Sequence, residues 1–163
     1  MESDAALPQE LIGGHDGQGL KIAIIVSRFN NEITSKLLQG AVQTLEQCGV
    51  DEGNVAVVWV PGALELGVAS MTLAESGRFD ALVGLGCVIK GETGHYDVVA
   101  TQSTSALARI ALKTGIPIGM GVITTENEEQ AHARAGGSHG NKGRDAALAA
   151  VEMANLLALI KNL

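Results

Sequence analysis

The sequence predicts an α/β fold, a three-layer αβα arrangement with a four-stranded parallel sheet in the middle. Three observations predict this fold: four short apolar runs, a helical repeat of apolar residues after each run, and no hairpin turn between two runs. Strands that are joined through a helix lie parallel, and such crossovers cover both faces of the sheet with helices.

The first half of the chain supplies two of the strands. Residues 20–27 form a continuous apolar run, which is typical of a strand buried on both faces. Apolar residues then recur at three- and four-residue steps over 33–48, and Gly49 is expected to end this helix. Residues 55–60 are the second predicted strand, and residues 63–75 are the second predicted helix.

The second half supplies the other two strands. Residues 80–89 are the third predicted strand, and a helix is expected over about 96–114, stopped by Gly115. Residues 116–123 are the fourth predicted strand.

Two further helices complete the predicted domain. Thr125 and Glu128 have the spacing of a capping box, so a short helix is expected to begin there and to end at residues 136–137. A last long helix carries an apolar side over residues 146–160. Together the elements predict a flavodoxin-like topology in a single domain, residues 20–163, preceded by a polar, aperiodic N-terminal arm, residues 1–19.

The composition excludes several classes of protein. The chain has 163 residues, of which 46% are hydrophobic and 18% charged, as in a globular domain with one core. Its net charge of −7 argues against a surface for nucleic acid or for an anionic membrane. No apolar stretch reaches the length of a membrane span. Cys48 and Cys87 are too few for a disulfide framework, so buried, inert thiols are expected. Residues 1–9 carry acids and no basic region, so a secretory signal is not expected there and a cytoplasmic location is.

Ligands of open α/β sheets bind beyond the carboxyl ends of the strands. The segments expected at that edge are residues 27–31, 61–65, 90–97 and 124–125. Phe29 is one of only four aromatic residues in the chain, and it stands where a strand meets its loop. That position suits stacking against a flat heterocycle, with chance placement as the alternative.

The third of these segments joins a buried strand to a helix and carries Gly91, Thr93 and His95. Free amides at a helix start, together with the positive end of the helix dipole, attract an anion such as phosphate. In the first turn the dipole favours a neutral imidazole, which can accept a proton near pH 7. The alternative is a helix capped by Thr93 with a surface histidine.

A second glycine-rich stretch, residues 136–143, is dense in hydrogen-bond donors and includes Lys142. Arg134 precedes it, and a guanidinium is suited to phosphate oxygens. The alternative is a solvated basic loop at a helix junction, which accounts for Arg144 better than for Arg134.

Other patterns fail on their context. Residues 136–140 have the letters of a nucleophile elbow, but a helix and not a strand precedes them. Gly84 and Gly86 are expected within a strand, so they do not open a dinucleotide fingerprint. The four histidines show no metal-ligand spacing with the carboxylates, so neither a metal nor a cofactor is expected.

Five stretches together carry a family resemblance. They are Ser27-Arg28-Phe29-Asn30, Pro61-Gly62-Ala63-Leu64-Glu65, the run from Gly86 to Asp97, Gly121-Val122-Ile123-Thr124, and a pattern from Glu129 to Gly143. Five motifs in the right order and spacing are a specific signal, and the chain resembles the 6,7-dimethyl-8-ribityllumazine synthases from about Leu20 to Leu157.

The resemblance implies an enzyme that condenses 5-amino-6-(D-ribitylamino)uracil with 3,4-dihydroxy-2-butanone 4-phosphate, releasing phosphate and water. It implies that His95 shuttles protons, that Lys142 lies on the proton-transfer path and that Arg134 holds the phosphate. The substrate-binding residues that it implies are Phe29, Asn30, Ala63, Leu64, Glu65, Val88, Ile89, Lys90, Gly91, Glu92, Thr93, Met120 and Arg134.

The resemblance also implies self-association into homopentamers or an icosahedral shell of pentamers, and riboflavin synthase as a partner. In that family the residues at Arg134, Lys142 and Met120 come from the neighbouring subunit. The chain departs from the family pattern at Met120, where phenylalanine is frequent, and at Asp145, where glutamate is common. The alternatives are a non-catalytic module that binds a flavin or a phosphosugar, and a structural shell protein.

Overall fold

The computed structural model describes residues 8–163, so residues 1–7 of the predicted arm lie outside the described residues. The elements in chain order are β1 (Ile22–Ser27), α1 (Asn31–Gln47), β2 (Val55–Val60), α2 (Leu66–Glu75), β3 (Ala81–Ile89), α3 (His95–Thr114), β4 (Ile118–Thr125), α4 (Glu128–Ala133), β5 (Ala135–Gly137), β6 (Gly140–Asn141) and α5 (Lys142–Lys161). One-turn 3₁₀ helices precede β2 and α2. Over residues 8–163, no helix combines the length and the apolar character needed to cross a membrane.

The main sheet has the strand order β2-β1-β3-β4, and every neighbouring pair is parallel. Ile22 on the central strand β1 pairs with Val55 on one side and with Ala81 on the other. This order and direction confirm the predicted α/β fold with a four-stranded parallel sheet. They also match the first four strands of the flavodoxin order.

Helices cover both faces of the sheet because its central strands are apolar throughout. All six residues of β1 and all but the last residue of β3 are buried. Alternate residues of β1 face opposite layers: Ile24 packs with α1 and α5, whereas Ile25 packs with α2 and α3. The two apolar clusters therefore meet at the sheet and form the three layers that the sequence predicts.

Helices α1 and α5 approach each other closely because glycine stands at the contact. A Cβ added to Gly143 would overlap the carbonyl oxygen of Leu37. Asn141 fixes the start of α5: its Oδ1 accepts from the amides of Gly143 (2.8 Å) and Arg144 (3.1 Å), and its Nδ2 donates to the Lys36 carbonyl (3.0 Å). The glycine-rich stretch before α5 is therefore anchored to α1.

Gly119 on β4 offers a direct test of this packing. A Cβ at this position would overlap the carbonyl oxygen of Ala146 on α5, and neither backbone can move far because β4 is paired with β3. We expect Gly119→Ala to lower the free energy of unfolding by about 1–3 kcal/mol in chemical denaturation. Gly53→Ala is the control, because a Cβ there meets no atom within 4 Å. Equal stability of the two variants would contradict the close contact.

The start of α4 differs from the expected capping box. Thr125 belongs to β4, and the N-cap is Asn127, whose Oδ1 accepts from the Gln130 amide at 2.9 Å. Gln130 in turn accepts from the Glu126 amide at 2.9 Å. The prediction that Thr125 and Glu128 cap each other was wrong, because asparagine is at least as strong a cap and stands closer to the helix.

Two other segments add detail to the prediction. Helix α4 ends at Ala133 rather than at residues 136–137, and a small antiparallel hairpin of β5 and β6 follows. Part of the predicted arm is also held in place, because Asn155 of α5 donates to the carbonyls of Gly14 (2.8 Å) and Asp16 (2.9 Å).

Candidate active site

A cleft of about 340 Å³ opens at the carboxyl edge of the main sheet. Three of the four segments expected at this edge line it, those that follow β1, β2 and β3. The lining residues are Phe29, Gly62, Ala63, Leu64, Glu65, Cys87, Val88, Ile89, Gly91, Thr93, His95, Tyr96 and Val99. Nine of the residues implied by the resemblance are therefore brought together in one copy of the chain.

The turn between β1 and α1 presents Phe29 at the cleft. Backbone bonds hold this turn to β2, since the Arg28 amide donates to the Val60 carbonyl (2.8 Å) and the Phe29 amide to the Pro61 carbonyl (3.1 Å). The side chain of Phe29 is nevertheless 70% exposed. A large apolar ring on a fixed backbone, with most of its surface free, is a ready platform for a flat ligand.

The residues after β2 form the wall beside this platform. Ala63 is buried, whereas Leu64 and Glu65 are exposed and carry the wall outward. The Glu65 carboxylate folds back over Gly62, where a Cβ would stand 3.1 Å from its Oε2. The absence of a side chain at Gly62 therefore leaves room for the Glu65 carboxylate, which can accept hydrogen bonds from a polyol chain.

The residues after β3 form the floor and the far end of the cleft. The Lys90 amide donates to the Thr125 carbonyl at 2.8 Å, which holds the start of this loop to β4. Helix α3 begins at His95, and its N-cap residue is Gly94, which has no side chain that could accept from the first amides of the helix. The Thr93 hydroxyl accepts from the His95 amide at 3.4 Å. The exposed His95 imidazole thus stands at the positive end of a 20-residue helix, on the rim of the cleft.

Lys90 and Glu92 belong to the same loop but do not line the cleft. Asn30 is also absent from the lining, and its Nδ2 donates to the Cys87 carbonyl at 2.9 Å. The sequence did not single out Gly62, Cys87, Tyr96 or Val99 as site residues. Each of the four lies within or close to a segment expected at this edge of the sheet, and that position is the signal by which the sequence could have identified it. Val99, for example, lies one helical turn after His95.

Burial keeps Cys87 unreactive. Desolvation, followed by the negative charge of Glu128, raises the pKa of the Cys87 thiol to about 12. Burial also raises the pKa of Cys48. A thiolate is the nucleophilic form of cysteine, so neither side chain is a nucleophile near pH 7. The cleft therefore has no activated thiol among its lining residues.

Three further residues implied by the resemblance, Arg134, Lys142 and Met120, do not line the cleft of the same copy. Arg134 donates to the Gln130 carbonyl of its own helix (3.0 Å), and Lys142 stands 3.4 Å from the Asp145 carboxylate. Met120 pairs with Gly84, five residues before the end of β3. At about 3.3 Å per residue, Met120 is roughly 16 Å from the carboxyl edge.

One carboxylate–histidine cluster departs from the expected absence of metal-ligand spacing. Donor atoms of Glu32, Glu128 and His132 all lie within 4.8 Å of one another. Lys36 approaches Nδ1 of His132 at 3.4 Å, and an ammonium group can only donate. Nε2 of the same ring stands 3.9 Å from the Glu32 carboxylate and 3.5 Å from the Glu128 carboxylate. The two carboxylates are exposed and the Lys36 ammonium lies beside the imidazole, so the cluster is a group of polar and charged side chains at the surface.

Two comparisons with known proteins cover the whole of this cleft. A family model described as 6,7-dimethyl-8-ribityllumazine synthase matches residues 19–158. A curated protein of Chlorobium phaeovibrioides (strain DSM 265 / 1930), named 6,7-dimethyl-8-ribityllumazine synthase, is 48% identical over 148 residues. That match covers 91% of this chain and 96% of the relative.

Proposed function

Because the chain belongs to the 6,7-dimethyl-8-ribityllumazine synthase family, we propose that the cleft beyond β1, β2 and β3 is its active site. The enzyme is a transferase of riboflavin biosynthesis. It condenses 5-amino-6-(D-ribitylamino)uracil with 3,4-dihydroxy-2-butanone 4-phosphate to 6,7-dimethyl-8-ribityllumazine. Family membership favours catalysis over the two alternatives, a binding module and a structural shell.

One observation carries the assignment of the site. A single cleft contains the exposed ring of Phe29, the carboxylate of Glu65 and the turn that leads to His95. The pyrimidine stacks on Phe29 while its edges bond to the backbone near Leu64, Val88 and Ile89. Glu65 and Ala63 hold the ribityl chain. The phosphate lies at the amides of residues 91–93 and the Thr93 hydroxyl, at the start of α3.

The chemistry requires positioning and proton transfer. The substrate amine attacks the ketone carbon, and the carbinolamine loses water to form an imine. A proton then leaves the carbon skeleton, the C–O bond to phosphate breaks, and phosphate departs. Ring closure and a second loss of water complete the lumazine. His95 accepts protons and returns them, Lys142 assists these proton transfers, and the cleft holds the two reactants together.

We propose that a neighbouring copy completes the site with Arg134, Lys142 and Met120. None of the three lines the cleft of its own copy, which supports this arrangement. Large exposed apolar side chains, which a partner would cover, also support it. They include Trp59, Val68, Val98, Leu112 and Met120, with Leu112 86% exposed. The assembly is a homopentamer or a shell of pentamers, and riboflavin synthase is its proposed partner.

We place the enzyme in the cytoplasm, in keeping with Cys48 and Cys87, which are both free thiols.

The test of the site combines both substrates and follows the fluorescence of the lumazine product. We expect product to form faster than in the spontaneous reaction, and Phe29→Ala to raise the KM for the pyrimidine by about tenfold, the value of one lost stacking contact. Phe79→Ala is the matched control, since the only other phenylalanine lies at the opposite edge of the sheet. An unchanged pyrimidine KM in Phe29→Ala would remove the stacking platform.

A further inference from the structure

We propose that Asn30 is a positioning residue: its amide ties the Phe29 turn to the end of β3 and so fixes the stacking platform before substrate arrives. This inference rests on the proposed function, because it takes Phe29 to be the platform for the pyrimidine. It differs from the role that the resemblance implies, in which Asn30 bonds the substrate ring itself.

The backbone of Asn30 has a conformation that is uncommon for a residue other than glycine. With φ 59° and ψ 44°, Asn30 is left-handed, and within residues 8–163 it is the one non-glycine residue with a positive φ. This conformation costs an L residue about 1–2 kcal/mol, and asparagine is among the few side chains that adopt it. Such strain persists where surrounding contacts fix it, and it is frequent at functional sites.

The side chain of Asn30 is the second observation. Asn30 is the N-cap of α1, where asparagine ordinarily accepts from a helix amide, yet its side chain makes no such cap. Its Nδ2 donates instead to the Cys87 carbonyl at 2.9 Å, in a partly buried hydrogen bond. The residue thus forgoes the local bond that stabilises its own helix in favour of a contact with another strand.

The hydrogen bond from Asn30 to the Cys87 carbonyl lies just beyond the paired part of β1 and β3. Ladder pairing between β1 and β3 ends at Val26 and Leu85, and Cys87 lies two residues further along. The Asn30 amide therefore extends the contact between these strands beyond the sheet, up to the floor of the cleft. On the opposite side, the Phe29 amide is held by the Pro61 carbonyl.

Phe29 consequently lies between an anchor to β2 and an anchor to β3. Phe29 is 70% exposed, so packing does little to orient its ring, and the two anchors of the turn fix its position instead. Asn30 itself does not line the cleft, whereas Phe29 and Cys87 do. Because its Nδ2 is bonded to the Cys87 carbonyl, the amide of Asn30 acts on the platform.

Two variants separate the amide from the backbone conformation. Asn30→Gly keeps access to the left-handed region and removes the donor. Asn30→Asp also tolerates that region but turns an acceptor toward the Cys87 carbonyl. Asn31→Gly, at the adjacent exposed asparagine, is the matched control.

The first measurement is amide hydrogen exchange of residues 27–31 in the full enzyme without substrate. We expect exchange at Phe29 to be at least about tenfold faster in Asn30→Gly and Asn30→Asp, and unchanged in Asn31→Gly. Unchanged exchange in the two Asn30 variants would overturn the proposal, because a residue that only contacts substrate has no effect in the free enzyme.

The second measurement is the pyrimidine KM in a double-mutant cycle. Asn30→Gly should raise that KM severalfold with little change in the KM for the phosphate substrate. Adding Asn30→Gly to Phe29→Ala should cause no further increase beyond about twofold, because the platform is already gone. Fully additive effects would overturn the proposal. If Phe29→Ala alone left the KM unchanged, the stacking assignment would fail, while the exchange measurement would still decide whether Asn30 anchors the turn.

Discussion

His95→Ala is expected to lower kcat by about a hundredfold, the scale of one general acid–base group. His95 is the first residue of α3, its imidazole is exposed on the rim of the cleft, and it stands beside the turn that we assign to phosphate. The reaction transfers several protons after both substrates are bound. The KM values should therefore change less than kcat, because the imidazole contributes to the chemical steps more than to binding.

Added imidazole provides the control for this prediction. The cleft is open at His95, so free imidazole should restore part of the lost rate in His95→Ala. Val99, one helical turn further along α3, also lines the cleft, and Val99→Ala should retain most of the activity. A kcat equal to that of the unsubstituted enzyme would exclude His95 from proton transfer.

Arg134→Ala is expected to raise the KM for the butanone phosphate by about ten- to a hundredfold, the value of a hydrogen bond to a charged group. The guanidinium can bond two phosphate oxygens at once, and a lysine cannot reproduce that geometry. Arg134→Lys should therefore restore only part of the affinity. The KM for the pyrimidine should remain nearly constant in both variants.

Arg144→Ala is the matched control for Arg134. Arg144 is an exposed residue on α5 that stands 3.6 Å from the Asp145 carboxylate. It has no place in the proposed site, so its removal should leave both KM values near those of the unsubstituted enzyme. A change in pyrimidine binding alone in Arg134→Ala would show that the phosphate assignment is wrong.

Most of the fold could be predicted from the sequence because the central strands are apolar on both faces. The continuous apolar runs of β1 and β3 predict strands that are buried on both faces, and both strands are buried in the structure. The sequence predictions were wrong at the ends of elements, where alternative side chains compete to bond the same backbone groups. At α4 the side chain of Asn127, not that of Thr125, caps the helix.

Part of the site could also be predicted, because parallel strands bring their carboxyl ends to one edge. Phe29, Glu65 and His95 come from three separate loops, yet they line one cleft. Contacts between residues that are far apart in the sequence could not be predicted. The bond from Asn30 to the Cys87 carbonyl joins residues 57 positions apart, and no local spacing encodes it.

Complementation between two variants of this chain tests the shared site most directly. Chains with His95→Ala and chains with Arg134→Ala are co-assembled in equal amounts and assayed at a low concentration of the phosphate substrate. If each site takes His95 from one copy and Arg134 from its neighbour, about a quarter of the sites in a ring receive both intact residues. Activity should then rise to about a quarter of that of the unsubstituted enzyme, well above either variant alone. Activity no greater than the average of the two separate variants would contradict a site built from two copies.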